Sequence, residues 1–543
     1  MAVGSESGQT PPIRWARHAL VQLDPHRAYR AMLARDRRFD GLFYVGVSTT
    51  GVYCRPICPA RTPREDRCSF HASAALAERA GFRACFRCRP ELAPGQASID
   101  SVSRLAGDAS RRIEEGALDH AGNLETLAAE LSVSSRHLRR VLESELGVSP
   151  LALAETRRLA TAKQLLTDTS LGMAEIAFAS GFGSVRRFND AFVKRFGDPP
   201  RAFKIGRKPV HAGAPLPLRL SYRPPFDWTG LLDYLGPRAI PGLEEVRGEV
   251  WRRLVSLDGV ASVVEVRDVP EQRCLIVSIA PTLSRSVRTL VRLLRALFDL
   301  DAQPEPIGRS LAPDLGALVK AAPGLRVPGA LDPFELAVRA VLGQQVSVRG
   351  ATTLAARLVE RFGAQHDTGD TLCRSFPNAA TLASVATNDL ARIGLPTARA
   401  ETIRRLSERV HGGELRLEGP LAHHEAVEET IAALVAQPGI GPWTAEYIAM
   451  RALRWPDAFV AGDLGVRKAL GGGVPISERE ARARAEAFRP FRAYAVLHLW
   501  RSLAPPKKNT PRNTPPKNTP PKNTPPKSTT SPTPKTPHQR ASR

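Results

Sequence analysis

Asp463 lies 20 residues past Trp443, in the segment Phe459-Val-Ala-Gly-Asp463-Leu-Gly-Val466. A carboxylate can stabilise a developing positive charge and can orient or deprotonate a water molecule. Just upstream runs Gln437-Pro438-Gly439-Ile440-Gly441-Pro442-Trp443, a tight turn whose backbone amides could hold a phosphate. A second reactive set stands near the other end. Cys54-Arg-Pro-Ile-Cys58 and Cys85-Phe-Arg-Cys88 are two close pairs with 26 residues between them. Four thiolates suit tetrahedral zinc, and metal can hold together a unit too small for a large core. Four reduced, buried cysteines are the alternative. Cys68, inside the gap, is read as a free thiol.

These residues need elements to position them. The stretch 434–447 predicts a helix, a turn and a second helix, with Asp463 downstream. Residues 21–95 hold five of the seven cysteines and form a cysteine-anchored unit after a loose leader, 1–20. Residues 100–205 are helical by pattern, with two similar halves. In 124–142 a helix, tight turn and helix follow one another, and Ser134 or Ser135 can cap the second helix. In 173–196 the plan recurs, with Gly181 at the turn and Ser184 as cap. A helical bundle with a basic face is the alternative. Pro/Gly punctuation at 206–217 reads as a linker. Residues 218–323 mix strands (Val263–Val266 and Cys274–Ile279) with one long helix over Ser284–Phe298. Residues 324–503 are mainly helical. The tail, 504–543, repeats Pro-Pro-Lys-Asn-Thr and carries nine Lys/Arg, so it should be disordered. A solvated tether is its preferred reading, a phosphate-binding arm the other.

The 543 residues imply several domains, and the formal charge of +23 implies a polyanionic partner. Ribosomes or membrane surfaces would suit the same bulk numbers. No run of about 20 apolar residues could span a membrane. The first residues lack a signal-peptide core, so a cytoplasmic, nucleoid-associated protein is expected.

Three resemblances sharpen these readings. Residues 25–92, with Phe43-Tyr-Val-Gly-Val-Ser-Thr-Thr-Gly-Val-Tyr-Cys54-Arg-Pro-Ile-Cys58 and Gly81-Phe-Arg-Ala-Cys85-Phe-Arg-Cys88, resemble the zinc domain of the Ada family. The resemblance implies one zinc ion on Cys54, Cys58, Cys85 and Cys88. It also implies that Cys54 accepts a methyl group from a methyl phosphotriester in DNA. A four-thiolate zinc centre carries formal charge −2, and methylating one sulfur makes it −1, an electrostatic switch for DNA binding. Arg55, Arg61, Arg64, Arg67, Arg83, Arg87 and Arg89 could contact phosphates.

Residues 105–204 resemble AraC-type regulators. That implies recognition helices starting near Ser135 and Ser184. Arg136, His137, Arg139 and Arg140 are candidate DNA contacts in the first, and Arg186, Arg187 and Asn189 in the second. Promoter DNA would be the partner, and an activator of this kind would also meet RNA polymerase.

Residues 218–503 resemble the AlkA family of alkylpurine DNA glycosylases. The carriers are Tyr222-Arg-Pro-Pro-Phe-Asp-Trp228, Asp332-Pro-Phe-Glu-Leu-Ala-Val-Arg-Ala-Val-Leu-Gly-Gln-Gln345-Val-Ser, the hairpin 438–447, Asp463 and Tyr494-Ala-Val-Leu-His-Leu-Trp500. The resemblance implies excision of alkylated purines such as 3-methyladenine and 7-methylguanine from double-stranded DNA. Asp463 would assist the cut. Trp443, Tyr447 and Trp500 would stack on the cationic base, although core packing is the safer reading for Tyr447. Amides around Gly439 and Gly441 would bind phosphate, and carbonyls there a monovalent cation. Trp443 stands where strand-cutting relatives have lysine. Gln345 stands in the wedge slot that fills the gap left by a flipped base. The Pro-Cys-His motif of the second Ada methyltransferase domain is absent, so O6-methylguanine repair is not expected.

The expected fold class is thus multidomain α+β. A small zinc-bound α/β domain (21–95) precedes an all-α AraC-type double helix-turn-helix (100–205). An AlkA-type α+β domain (218–323) and an all-α helix-hairpin-helix glycosylase domain (324–503) follow. Two rival readings stay open: a DNA-binding regulator whose glycosylase part only binds, and an enzyme whose N-terminal parts merely add affinity.

Overall fold

Asp24 caps the first described helix: its carboxylate accepts from the His26 N–H, and Pro25 fills a first-turn position that needs no donor. The computed structural model describes residues 24–94, 104–119, 122–204, 214–417 and 424–503. The expected leader, the tail and linker residues 206–213 lie outside the described residues. Helix α1 (Pro25–Leu33) is followed by β1 (Tyr44–Val47), β2 (Val52–Cys54), β3 (Cys68–His71), α2 (Ala74–Arg79) and β4 (Arg83–Ala84). The strands form one sheet in the order β3-β1-β2-β4. Its own apolar cluster is small: Ala28, Ala31, Met32, Phe43, Val45 and Val47.

Six helices follow: α3 (Arg104–Glu115), α4 (Leu124–Glu130), α5 (Ser135–Leu146), α6 (Pro150–Asp168), α7 (Met173–Ala179) and α8 (Val185–Phe196). Of the two serines able to cap α5, Ser134 does so, its hydroxyl accepting from the His137 N–H at 3.2 Å. Ser184 caps α8 through the Arg187 N–H, also at 3.2 Å. Gly181 turns the chain at φ +88°, where a Cβ would strike the Asp119 carboxylate.

The next domain mixes strands with helices as expected and holds more strands than the two runs singled out in the sequence. It contains β5 (Leu216–Ser221), α9 (Trp228–Leu235), β6 (Glu244–Arg247), β7 (Val250–Leu257), β8 (Val260–Val269), β9 (Cys274–Ile279), α10 (Val287–Leu297) and α11 (Pro304–Ala321). The sheet order is β5-β9-β8-β7-β6, antiparallel throughout. There are five strands, and three helices in place of one. The first strand starts at Leu216, inside the stretch read as linker. The helix expected from Ser284 begins as a 3-10 turn, Pro281–Ser286, before α10. Strand β7 was hidden because Arg252 and Arg253 interrupt its apolar pattern. Both are buried in ion pairs that only the tertiary fold supplies. Arg253 meets Glu244 at 2.8 Å and also Glu335, while Arg252 meets Glu265 at 2.7 Å and Asp370 at 2.6 Å.

The C-terminal part is helical: α12 (Pro333–Leu342), α13 (Val348–Phe362), α14 (Ala379–Ser384), α15 (Thr387–Ala391), α16 (Thr397–His411), α17 (His424–Val435), α18 (Pro442–Arg451), α19 (Leu464–Leu470), α20 (Glu478–Ala485) and α21 (Arg492–Ser502). The Arg253–Glu335 pair fastens α12 to the sheet domain. One buried cluster runs through the N-terminal units: Tyr53 and Ala84 beside the zinc-type loops, Phe188 and Phe192 of α8, and Leu218 and Phe298 of the sheet domain. The first helix-turn-helix has a separate core around Leu127, Leu138 and Leu142.

One buried group carries a pH signature. His498 of α21 is 5% exposed, and its Nδ1 has no hydrogen-bond partner. Burial, then nearby Arg501, holds its pKa down to about 4. The unfolded chain takes up this proton near pH 6.5 and the folded chain does not. The stabilisation is therefore complete above that pH and is lost as pH falls towards the folded value. Lowering the pH from 7 to 5 should cost about 2 kcal/mol through this residue. Urea unfolding of His498→Phe at the two pH values should show that much less pH dependence than the parent; an equal dependence would contradict it.

Candidate functional site

Two sites emerge, one in each half. In the first, the Sγ atoms of Cys54, Cys58, Cys85 and Cys88 all lie within 4.8 Å of one another. Cys68 stands outside this group and donates to the Arg64 carbonyl at 3.3 Å. Burial, then Glu65 and Asp66, pushes its thiol up to about 11. The spacing of the four sulfurs and their softness fit zinc. Local backbone holds the set: Cys85 N–H donates to Tyr53 O at 3.0 Å, and Cys58 N–H to Arg55 O at 3.1 Å. The Arg55 N–H points at Cys88 Sγ, 3.3 Å away, an interaction that favours thiolate.

Three arginines expected to face DNA are committed elsewhere. Arg55 is buried, its guanidinium paired with the Asp40 carboxylate and donating to Cys88 O at 3.3 Å. Arg83 donates to Phe196 O at 2.8 Å, and Arg89 pairs with Asp168 at 2.7 Å. The other four, Arg61, Arg64, Arg67 and Arg87, are all exposed.

The second site centres on Asp463. Its side chain caps α19 by accepting from the Val466 N–H at 2.9 Å. The same Oδ1 accepts from Trp500 Nε1 at 2.9 Å, and Oδ2 accepts from Trp443 Nε1 at 3.1 Å. A carboxylate has about four acceptor sites. Three donors therefore fix its orientation and leave room for one more. The rings of Trp443 and Tyr447 stack 5.4 Å apart at 11°, and Trp500 stands 6.4 Å from Tyr447.

Sequence reasoning missed what lies behind the aromatics. Arg451 donates to the Tyr447 hydroxyl at 2.8 Å and to that of Tyr234 at 3.3 Å. Burial opposes ionisation of the Tyr447 phenol, but Arg451, Arg238 and the hydrogen bond with Tyr234 together outweigh it and bring the pKa down to about 8. Arg451 follows Tyr447 by one helical turn and was findable on that ground. Tyr234, on α9 of the preceding domain, carries no local signal.

The hairpin joins α17 to α18. Gly439 adopts φ +90°, and a Cβ there would collide with Thr402 Oγ1. Gly441 caps α18 without a side chain, so no side chain satisfies the first helical amides from the cap position. Gln344 Nε2 donates to Gly439 O at 2.8 Å and to Thr444 Oγ1 at 3.0 Å, linking the α12–α13 turn to the hairpin. Gln345, next in line, is exposed at φ +57°.

Family models match four segments in this order: the metal binding domain of Ada (27–91), a helix-turn-helix domain (127–205), the AlkA N-terminal domain (217–332) and the HhH-GPD superfamily of base excision DNA repair proteins (338–489). A Mycobacterium tuberculosis protein named "Probable bifunctional transcriptional activator/DNA repair enzyme AlkA" is 40% identical over 498 residues, 90% of this chain and 98% of that one. The chain belongs to this activator/repair family.

Partial relatives divide it as the site geometry does. DNA-3-methyladenine glycosylase 2 of Escherichia coli is 33% identical over 284 residues, 52% of this chain and 95% of its own length. The E. coli "Bifunctional transcriptional activator/DNA repair enzyme Ada" is 36% identical over 137 residues, 25% of this chain and 37% of its own. This member of the family is a multidomain DNA-repair and transcription-regulating protein with a zinc-binding domain and a glycosylase-family domain. In its helix-turn-helix part, Arg136, Arg139 and Arg140 of α5 and Arg186 and Arg187 of α8 sit at the helix surface, and Ser134 and Ser184 hold the two N-termini that carry them. Ser135, His137 and Asn189 lie on the same two helices. Among the described residues no helix is long and apolar enough to cross a membrane.

Proposed function

We propose that the chain excises alkylated purines, takes a methyl group from DNA phosphotriesters onto Cys54, and activates transcription from promoter DNA. The observation that carries the first activity is the Asp463 carboxylate held by two indole N–H groups beside a stacked aromatic pair. Cleavage of the bond between sugar and base builds positive charge on the sugar. Asp463 faces that charge and deprotonates the incoming water. The extruded base is a cation when it is 3-methyladenine or 7-methylguanine, and Trp443, Tyr447 and Trp500 offer it electron-rich faces. The α18 amides around Gly439 and Gly441 hold a backbone phosphate, and Gln345 fills the vacated stack. A monovalent cation at the hairpin belongs to this reading; of the carbonyls there, those of Pro438 and Gly439 already accept from Thr402 and Gln344.

For methyl transfer, bound zinc keeps the cysteines as thiolates at neutral pH. Cys54 Sγ attacks the methyl carbon. The S–C bond forms, the C–O bond breaks, and its electron pair stays on the phosphate oxygen. The four-thiolate cluster then carries one negative charge less and repels DNA less, which suits activation at a promoter by α5 and α8 in contact with RNA polymerase.

The test incubates the protein with methylated duplex DNA. Free 3-methyladenine and a methyl-mass increment on the peptide containing Cys54 are expected; neither product would reject both activities. Trp443 also stands where a Schiff-base lysine would be needed. The treated DNA should therefore stay intact on a denaturing gel until base or heat is added, and spontaneous nicking would contradict this.

A further inference from the structure

Arg55 and Ile57 of the Cys54–Cys58 loop line the same cavity as Arg219 and Ser221 of β5 and the turn before β9, and the lining of this seam is strongly cationic. The cavity, of about 120 Å³, is lined by Arg37 and Arg55 from the zinc-domain side and by Arg219 and Arg273 from the sheet domain. Asp40 is the only carboxylate in that lining, and Arg55 already occupies it. A second cavity of about 260 Å³ shares Arg219 and adds Arg267 of β8; its one acid, Asp168, is paired with Arg89. Arg37, Arg219, Arg267 and Arg273 form no ion pair or side-chain hydrogen bond among the described residues.

Such a grouping is costly without an anion. Like charges lining one cavity repel, and the half-buried Arg219 and Arg273 are less screened by water than the exposed Arg37 and Arg267. The strain registers at Arg37, whose guanidinium is held below its ordinary value by burial and then by Arg273 opposite it. The arginines are also supported from behind. The carbonyl of Asp40 accepts from Arg223 Nε at 2.9 Å, so the zinc domain and the sheet domain are pinned together at this point. Planar guanidinium groups converging on one space match the oxygens of a phosphate.

We propose that this seam is a phosphate-binding groove for the DNA backbone, in which Arg219 and Arg273 of the glycosylase half hold the strand whose methylated phosphate is presented to Cys54. The inference rests on the methyl-transfer reading for its purpose but not for its chemistry. It makes the sheet domain a working part of the phosphotriester site rather than a spacer.

The experiment uses the full chain and its Arg219→Gln/Arg273→Gln double variant. Duplexes with and without one methyl phosphotriester are titrated at several salt concentrations, and methyl uptake is followed by mass. Each phosphate that a variant no longer neutralises lowers the salt slope of log affinity by about 0.9. The variant should lose about 1 to 2 in slope, bind about tenfold more weakly at moderate salt and take up methyl correspondingly more slowly at limiting DNA. The Arg219→Lys/Arg273→Lys variant keeps the charge and should recover most of the slope. Zinc content and melting temperature report whether each variant is folded. Unchanged slope and affinity in a folded Gln variant would overturn the groove. So would stabilisation of the parent, but not the variant, by inorganic phosphate with DNA binding unaltered, since that marks a site for a free anion. If the parent takes up no methyl, the methyl-transfer reading fails, and the slope comparison still decides the groove.

Discussion

Asp463→Asn should release alkylated bases about 10²–10⁴-fold more slowly than the parent while binding the same duplex. The structure makes this a clean substitution. The asparagine carbonyl can replace Oδ1, keeping the bonds from Val466 N–H and Trp500 Nε1 and therefore the cap of α19. Its amide then meets Trp443 Nε1, donor against donor, at the position of Oδ2. One hydrogen bond is lost and the fold stays. What disappears is the negative charge that faces the sugar cation and the base that takes a proton from water. Asp463→Ala tests something different, because it also removes the helix cap, worth about 1 kcal/mol. Single-turnover release of 3-methyladenine, measured beside duplex affinity, separates the two effects. Equal rates for parent and Asp463→Asn would assign the chemistry to another group and leave the aromatic cluster as a binding surface.

Cys85→Ala should abolish methyl uptake altogether and lower bound zinc well below one ion per chain. The sheet β3-β1-β2-β4 has only six buried residues in a cluster of its own around Phe43, while Tyr53, Ala77 and Ala84 bury against the neighbouring domains, so burial within the domain itself is small. Zinc binding, at about 10–16 kcal/mol in small zinc domains, would supply the difference. Loss of one thiolate removes most of that and loosens the backbone between Tyr53 and Cys88. Promoter binding should weaken as well, because Tyr53 and Ala84 share a buried cluster with Phe188 and Phe192 of α8. Base release should persist, since the residues around Asp463 sit on a different cluster that includes Met450, Val460 and Val466. Metal analysis, peptide mass and base release on one preparation check all three. Full methyl uptake by a zinc-free variant would refute the metal-thiolate account.

Much of this organisation was legible because it is written in local spacing. The cysteine pairs are close in sequence, so a short loop can bring each pair to a metal whatever surrounds it. The hairpin is legible for the same reason: Gly439 must take a positive φ and Gly441 must cap α18, and both demands fall within a few residues. The helix-turn-helix copies announce themselves through Ser134, Gly181 and Ser184.

Sequence by itself determined which residues are chemically distinctive and which short elements carry them. Only the tertiary structure decided what surrounds them. Arg252 and Arg253 sit buried in strand β7 only because Glu244, Glu335 and Asp370 neutralise them from other parts of the chain. Tyr234 reaches Tyr447 at 3.1 Å across 213 residues. Arg55, read as a phosphate ligand, is turned inward by Asp40, while Arg219 and Arg273, from a domain read as separate, line the cavity beside it. The physical reason is common to all of these. A turn, a cap or a close metal-ligand pair is fixed by a few neighbouring residues, whereas the partner of a buried charge is set by packing between distant segments, which leaves no periodic trace in either one.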